Sequence, residues 1–457
     1  MKQLRSEMAA LSRLALPLAL AQAGQALMGI VDAAVVGRAG AGALAAVGLG
    51  TTFTMTLAVT GMGVMQGLDP LISQAVGAGD RAGARRLLWQ GLWLALGVGA
   101  ALTLPFLFIP RVLVPLGIDP ALAGPAGDYF LWRLPGLPAF FAYMAARAYL
   151  QGLGLGRPMV VATVLANVAN LLLDVLLVYG GAGLPAWAGP LRLVPSLGAT
   201  GAAIATTLCT VLQLLVLAFA IRAADPGVAP PSRRPDPRVL GAALRVGWPV
   251  GVHLGAEVGI FALVGFLAGR LGALPMAAHQ LAISVASFTF TFAVGFGQAG
   301  SVRVGWAVGA RDRAAARRAG LAAFASGVLF MTCAALAFLL FPEAIAGAFS
   351  NDPDVIALAS RLLAVAAVFQ LFDGLQGVGA GVLRGAGETH FTLVANLFGH
   401  WLLGFPATLA LGFWMGMGVI GLWWGFVLGL GTVGLLLVGR FLVVSSREIR
   451  PLEAGLQ

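Results

Sequence analysis

Four carboxylic acids lie inside long apolar stretches of this sequence, where a charge is costly unless it has a task. They are Asp32, Asp174, Glu257 and Asp373. Glu257 is the only charged residue between Arg245 and Arg270, a stretch long enough for a membrane-spanning helix. Acids in such positions usually face a watery cavity in a helical bundle and serve the movement of ions or protons. The four acids are therefore the first candidates for function.

The acids fall into two groups by position. Asp32 lies toward the end of the first apolar stretch, while Asn170 and Asp174 are four residues apart and hence on one face of the fifth. We expect these three side chains to share a polar pocket in the N-terminal half. Glu257 and Asp373 lie near the middle of the seventh and tenth stretches. Two carboxylates from different helices suit a hard cation, so they are candidate Na⁺ ligands.

A purely structural interpretation stays open for each of these residues. A buried carboxylate can be paired or hydrogen-bonded only for packing. Likewise, Pro17 and Pro249 interrupt the hydrogen-bond ladder of the first and seventh stretches, either as fixed kinks or as hinges about which the helix bends. We take both prolines as candidate gating residues, Pro17 in particular because it shares its stretch with Asp32.

The stretches that position these residues are duplicated. Pro17 and Pro249 are 232 positions apart, and the same spacing, without a gap, pairs Gln66 with Gln298. It also relates Gly77-Ala78-x-Asp80-Arg81 to Gly309-Ala310-x-Asp312-Arg313. The chain therefore consists of two homologous halves, and Glu257 corresponds to Gln25 of the first half.

Composition places most of the chain in a membrane. Of 457 residues, 59% are hydrophobic and 10% are charged, which is too little charge for the surface of a soluble domain of this length. The net charge of +10 is spread over short clusters between apolar stretches. That pattern sets membrane topology, and it lacks the continuous basic face that nucleic acid requires.

Twelve apolar segments can be counted, six on each side of a polar, proline-rich stretch. This predicts an all-α integral membrane protein with an N-terminal lobe at 1–222, a linker at 223–239 and a C-terminal lobe at 240–457. Six helices per lobe give both lobes the same topology, so a pseudo-twofold axis should run along the membrane normal, with a cavity between the lobes. The approximate segments are 14–36, 45–68, 87–109, 128–151, 159–180, 199–221, 244–268, 276–301, 319–341, 356–382, 392–413 and 418–442.

Lysine and arginine are concentrated on one side of this topology. The bias predicts that both termini and the linker are cytoplasmic. We expect the membrane to be the plasma (inner) membrane. Lys2 is the only lysine, so the lysine of a phosphate-binding ATPase loop is absent, and catalytic Ser, His and Cys spacings are missing as well. We expect a transporter with no cofactor, driven by an ion gradient, and not an enzyme.

Short motifs occur along the whole chain. They include Leu16-Pro17 with Val31-Asp32, Gln74-Ala75-x-Gly77-Ala78-Gly79, Leu150-Gln151-Gly152, Asn170-x-x-x-Asp174, Ala277-Ala278-His279-Gln280, Ser301-Val302-Arg303-Val304-Gly305, and Asp373 with Leu383-Arg384-Gly385. This set resembles the multidrug and toxic compound extrusion (MATE) transporters over essentially the whole length. The NorM-like branch is the first choice, and the DinF-like branch, in which Glu257 is not expected, is the second.

The resemblance implies a V-shaped pair of lobes that export amphiphilic, often cationic, drugs or metabolites in exchange for Na⁺ or H⁺ by alternating access. It assigns Glu257 and Asp373 to a cation site in the C-lobe. It assigns Asp32, Asn170 and Asp174 to an N-lobe site for protonation or Na⁺, although some NorM-like members carry asparagine at the Asp174 position. The implied partners are small amphiphilic substrates, the coupling cation and the lipid bilayer, and we expect a monomer that binds no nucleic acid.

Two other functions remain open at this point. One is a flippase for a lipid-linked oligosaccharide, as in distant relatives of this fold. Such proteins tend to have a strongly basic central cavity, whereas arginines in the middle of the segments are scarce here. The other, less favoured, is an intramembrane enzyme.

Overall fold

The computed structural model describes residues 2–115, 117–230, 232–447 and 449–452, and these ranges contain helices and connecting turns but no β-strand. The N-terminal half also contains two 3₁₀ segments, Leu104–Phe108 and Ala186–Leu193. Its α-helices are α1 (Lys2–Ala39), α2 (Ala41–Met65), α3 (Leu68–Gly77), α4 (Arg81–Thr103), α5 (Ile109–Val112), α6 (Pro120–Arg133), α7 (Gly136–Gly152), α8 (Arg157–Tyr179) and α9 (Gly198–Ala224).

The C-terminal half repeats this order with longer uninterrupted helices. Two π-helical segments, Leu397–Gly404 and Ala410–Trp414, lie within its penultimate membrane span. Its α-helices are α10 (Pro237–Arg270), α11 (Ala273–Gly309), α12 (Arg313–Leu340), α13 (Pro342–Gly347), α14 (Pro353–Gly385), α15 (Thr389–Asn396), α16 (Phe405–Leu409) and α17 (Gly418–Ser446).

Aspartates at the helix starts explain several of these boundaries. Asp80 and Asp312, which are equivalent in the repeat, accept hydrogen bonds from the backbone N–H groups of Gly83 and Ala315 at 2.7 and 2.8 Å. These bonds satisfy donors that the first turn of a helix leaves free, so α4 and α12 begin at corresponding positions. The repeated sequence motif thus specifies a repeated helix start.

Eleven helical runs in the described ranges are long and apolar enough to cross a membrane, so the predicted count of twelve is not confirmed. The fourth predicted segment, 128–151, is divided between α6 and α7 by a turn at Leu134-Pro135. Pro135 and Pro138 both lack an amide hydrogen, which prevents a continuous ladder of helical hydrogen bonds there. The corresponding helix of the second half, α14, is unbroken.

The contacts between the two lobes occur in pairs, and the sequence repeat relates the two contacts of a pair. A Cβ atom added at Gly77 would lie 2.1 Å from the carbonyl oxygen of Trp306, and one at Gly309 would lie 2.0 Å from that of Gln74. Each residue of the first pair is 232 positions from a residue of the second. These reciprocal backbone contacts between α3 and α11 are what a pseudo-twofold axis between the lobes requires, as predicted.

A second pair of contacts follows the same rule. Gly63 of α2 abuts Gly251 of α10, where an added Cβ would lie 2.4 Å from the Gly251 Cα. Their equivalents, Gly295 of α11 and Ala19 of α1, are also in contact, with 2.8 Å between an added Cβ and the Ala19 Cβ. Because no larger side chain fits, small residues at these positions let the lobes approach closely.

These inter-lobe contacts lie in the halves of the helices that end near the chain termini and the linker, which we call the linker side. The linker itself is fastened to α4. The Gln90 side-chain amide donates to the Arg234 carbonyl and accepts from the Asp236 N–H, both at 2.8 Å. Asp236 also pairs with Arg86. The opposite end of the bundle, the far side, is where the cavities described next are found.

Candidate functional site

The N-lobe acids form one buried cluster, as predicted. Asp32 on α1 and Asp174 on α8 are adjacent, close enough for a hydrogen bond if one of them carries a proton. Asn170 lies one turn from Asp174 on the same face of α8, and both are completely buried. Thr206 of α9 completes the cluster, because its hydroxyl lies 3.0 Å from Asp32 Oδ2.

This N-lobe cluster has more acceptors than donors. The single Thr206 hydroxyl proton is shared between Asp32 and the Ala202 carbonyl, which lies 2.8 Å away. Asp32 Oδ1 and both carboxylate oxygens of Asp174 are buried without a hydrogen-bond partner among the described residues. Two such carboxylates cannot both keep a negative charge so close together without a proton or a cation to compensate them. The arrangement therefore suits the uptake of one positive charge.

A cavity of about 320 Å³ opens beside Asp32. Gln25 and Gln213 hydrogen-bond across it at 3.2 Å, and Arg133 also lines it. Arg133 reaches this wall because α6 ends there, just before the Leu134-Pro135 turn. The sequence alone did not single out Arg133, because the helix break that brings it to this wall was not expected.

The C-lobe acids also lie together, as predicted. Glu257 accepts hydrogen bonds from Gln376 Nε2 and from His253 Nε2, each at 3.1 Å. Asp373 is buried on α14, one turn from Gln376, and in the described ranges no ion pair or hydrogen bond to its carboxylate is found. The negative charge of Glu257 is therefore partly compensated by its hydrogen-bond donors, whereas that of Asp373 is not. The spacing of four residues between His253 and Glu257 signals their pairing in the sequence.

Glu257 and Asp373 both face a cavity of about 470 Å³. Its wall includes Val59 and Met62 of the N-lobe, so it lies between the lobes. Ser287 of α11 also lines it and adds a hydroxyl oxygen to the two carboxylates. Among the described residues no three His, Cys, Asp or Glu side chains are grouped to hold a metal ion, so Na⁺ here would need hydroxyl, backbone or water oxygens as well.

This cavity continues toward the far side. A neighbouring cavity of about 680 Å³ shares Phe261, Ala262 and Ile283 with it and extends to Arg270, the last residue of α10. Together, the linings of these two adjacent cavities extend from the C-lobe acids to the end of α10 opposite the linker. On the linker side, the tight contacts near Gly63 and Gly251 lie close to the cavity floor.

Pro17 and Pro249 lie inside α1 and α10, and both helices continue through them. Pro249 is buried, and Pro17 packs near Gly156, where an added Cβ would lie 2.9 Å from the proline ring. Each proline leaves one backbone carbonyl of the preceding turn without its usual N–H donor. The helices can bend at these points, but the hinge role assigned to the prolines stays a prediction.

A polar layer between the lobes was missed by the sequence analysis. Asp69 of α3 forms a buried ion pair with Arg384 of α14, with 3.5 Å between Asp69 Oδ2 and Arg384 Nε. Arg384 also donates to Gln66, and Arg147 of α7 donates to Gln22 at 3.4 Å. Both arginines are buried, Arg384 against Asp69 and Gln66 of the opposite lobe and Arg147 against Gln22 of its own lobe.

The repeated glutamines belong to this layer. Gln66 accepts from Arg384, and its equivalent Gln298 lies at 3.5 Å from the Gln151 side-chain amide. Both glutamines therefore make bonds between helices. The layer crosses the linker side of the interface, so any opening on that side must break it.

Comparison with known proteins agrees with this geometry. The MatE family profile matches residues 17–176 and 249–409, one match in each half. The chain belongs to the MatE family. A MATE protein described as a multidrug resistance protein NorM, from Burkholderia vietnamiensis, is 34% identical over 95% of this chain and 94% of its own length. A probable multidrug resistance protein NorM from Pseudomonas putida is 35% identical over 92% and 91%.

Solved MATE structures share the fold. A multidrug resistance MATE transporter in an outward-facing conformation superposes with a TM-score of 0.85 at 21% identity, covering 96% of both chains. A eukaryotic MATE transporter gives a TM-score of 0.82 at 22% identity over the same fractions. The NorM-like assignment, the two-lobed helical membrane fold and a multi-pass transporter instead of an enzyme are thereby confirmed.

Proposed function

We propose that this MATE protein is a cation-coupled antiporter that exports amphiphilic, often cationic, drugs or metabolites in exchange for Na⁺ or H⁺. One observation carries the proposal: each lobe buries carboxylates without full compensation, and each acidic cluster lines a cavity. The NorM relatives, described as multidrug resistance proteins, support the substrate class.

Electrostatics supplies a reason for exchange. Closing a cavity around an uncompensated carboxylate removes the acid from water at a large cost, whereas a bound proton or Na⁺ removes most of that cost. A cationic substrate can replace the coupling ion in this role, but the two compete for the same negative charge. The cavity can therefore switch the side of the membrane to which it opens when either the ion or the substrate is bound. This switch is hindered when the acids are bare.

The cavity walls support amphiphilic substrates. Beside Glu257 and Asp373, the cavity between the lobes is lined by apolar and aromatic side chains such as Met62, Phe261 and Phe290. Flexible methionine and flat aromatic surfaces adapt to varied apolar groups, while the acids attract a positive one. We propose that this cavity holds the substrate and that Asp373 contacts its cationic part.

The acidic lining favours this function over a flippase. A lipid-linked oligosaccharide carries phosphate groups, which require arginines or lysines in the cavity. Among the described residues, only Arg133 lines the N-lobe cavity as a cation, and no arginine or lysine lines the cavity of Glu257 and Asp373. The buried Arg147 and Arg384 belong to the inter-lobe layer and not to these cavities.

The orientation also belongs to this proposal. We propose that the linker side faces the cytoplasm of the plasma (inner) membrane, so that both termini are cytoplasmic and the far-side cavities open outward. The arginine bias of the sequence supports this orientation. Export then requires the contacts on the linker side to open and the helices to bend at Pro17 and Pro249.

Transport in proteoliposomes tests the mechanism. Efflux of a fluorescent organic cation is measured with a Na⁺ gradient or a proton gradient, imposed separately. Asp32→Asn, Glu257→Gln and Asp373→Asn should each lower the gradient-driven rate by about tenfold or more. Glu343→Gln, which neutralises an exposed acid of α13, is the matched control and should transport normally. Full gradient-driven efflux in all three cavity variants would refute cation coupling through these acids.

A further inference from the structure

A basic cavity that the transport path does not use lies on the linker side of the N-lobe. It has a volume of about 490 Å³, within the range of about 300–1,000 Å³ found for small-ligand sites. Arg85 and Trp89 of α4 form one wall, and Arg222 in the last turn of α9 forms another. Linker residues 225–230 and Arg233 enclose the rest.

The charge balance of this cavity is positive. Three guanidinium groups, from Arg85, Arg222 and Arg233, line it together with one carboxylate, that of Asp225. Asp225 is already engaged, because it accepts from the Tyr149 hydroxyl at 2.7 Å and lies 3.8 Å from an Arg81 nitrogen. The cavity therefore keeps an excess of cationic donors.

At least one of these donors is free for a ligand. Arg85 Nη1 is buried and has no hydrogen-bond partner among the described residues. Cζ of the same guanidinium lies 5.3 Å from the centre of the Tyr149 ring, and another part of the group contacts the Tyr149 hydroxyl, so its position is fixed. A buried, unpaired guanidinium N–H is costly unless an acceptor fills the site, and phosphate oxygens match its geometry.

The linker wall is held in place. The Arg233 guanidinium stacks over the Trp89 ring at 5.0 Å, and the Trp93 indole N–H donates to the Arg233 carbonyl at 2.8 Å. With the Gln90 bonds to the linker, these contacts fix one basic residue on the rim before a ligand arrives. Preorganisation of this kind lowers the entropic cost of binding.

The position of the cavity indicates the source of the phosphate. It lies near the start of α4 and the end of α9, and its wall includes Trp89, a residue type that is enriched at membrane–water interfaces. Basic pockets between helices at this level bind lipid headgroups. We propose that this cavity binds a phosphate ester, and that its source is the headgroup of an acidic phospholipid. This site is independent of the proposed transport function.

Native mass spectrometry of the full-length protein in detergent tests the site. The probes are phosphatidylglycerol, cardiolipin, zwitterionic phosphatidylcholine and soluble glycerol phosphate. Arg85→Gln and Arg233→Gln should each weaken binding of the acidic lipids by about tenfold or more, because each removes charge-assisted hydrogen bonds. Arg234→Gln is the matched control, since it removes the same charge from the same linker outside the cavity.

The outcomes separate the alternatives. Binding of acidic lipids that falls in both cavity variants but not in Arg234→Gln supports the proposal. Equal loss in all three variants would indicate only a general attraction of acidic lipids to the positive charge of the protein and would overturn the site. Tight binding of glycerol phosphate that acyl chains do not improve would overturn the lipid source and assign a soluble phosphate ester. Because Arg233 is exposed in the linker, its variant keeps the test valid if Arg85→Gln fails to fold.

Discussion

The ion pair between Asp69 and Arg384 should determine how firmly the linker side stays closed. It joins the two lobes, both side chains are almost fully buried, and Arg147 is a second cation nearby. In Asp69→Asn the carboxylate is lost, and two guanidinium groups remain in the closed interface without it. When the linker side opens, water solvates both groups, so the substitution penalises only the closed state.

The size of this penalty follows from the burial. Removing one partner of a buried ion pair costs about 3–5 kcal/mol. The low end applies here, because Arg384 Nε makes no hydrogen bond despite its contact with Asp69. A penalty of about 3 kcal/mol shifts the equilibrium toward the open linker side by about a hundredfold.

Distance measurements between spin labels can detect this shift. Labels at Ala82 and Ala314, equivalent positions near the starts of α4 and α12, report the separation of the lobes on the linker side. The native Cys209 and Cys333 are replaced by alanine in this background. Asp69→Asn should increase the population with long distances.

Two further variants make the measurement decisive. The double variant Asp69→Asn/Arg384→Gln removes both charges and restores the original net charge of the layer. It should return the short distances, because the large cost arises when one partner of a buried ion pair is removed and the other stays charged. Glu7→Gln breaks a more exposed inter-lobe pair with Arg303 and should shift the equilibrium by no more than about 1 kcal/mol. If Asp69→Asn leaves the distances unchanged, or the double variant stays open, the reasoning is wrong.

Two other predictions concern the backbone. In Gly77→Ala the new Cβ would lie 2.1 Å from the Trp306 carbonyl oxygen, so the lobes must separate. The same spin labels should then report longer distances between the lobes. An unchanged distance distribution would contradict the close approach of the two backbones. Pro17→Ala restores an amide N–H for the Arg13 carbonyl and stiffens α1, so proteoliposome efflux should slow severalfold while equilibrium substrate binding changes little; equal loss of both would argue against a hinge.

The sequence could predict both acidic clusters because their signals are local. A carboxylate in an apolar stretch is conspicuous on its own, and the spacing of four residues placed Asn170 and Asp174 on one face of α8. The constant spacing of 232 positions likewise anticipated the reciprocal contacts of Gly77 and Gly309. Nothing in these inferences required knowledge of which distant helices touch.

The inter-lobe layer could not be found in the same way. Asp69 and Arg384 lie far apart in the sequence, and each is near the end of an apolar segment, where a charge normally faces water. Only packing of α3 against the opposite lobe converts these ends into an interior. The break before α7 was missed for a different reason: a proline inside a membrane span often only bends the helix, and composition does not show when two prolines end it.

The repeat duplicates the contacts between the lobes but not the chemistry inside them. Inter-lobe contacts recur in equivalent pairs, whereas the positions equivalent to Asp32 and Glu257 hold no acid. By the constant spacing of 232, those positions are Val264 for Asp32 and Gln25 for Glu257. A symmetric interface allows the lobes to rock as two similar bodies, while the proposed mechanism has each lobe bind its cation by a different set of groups. It follows that neither acidic cluster can substitute for the other, so loss of one should remove its own contribution to coupling and leave the closure of the linker side intact.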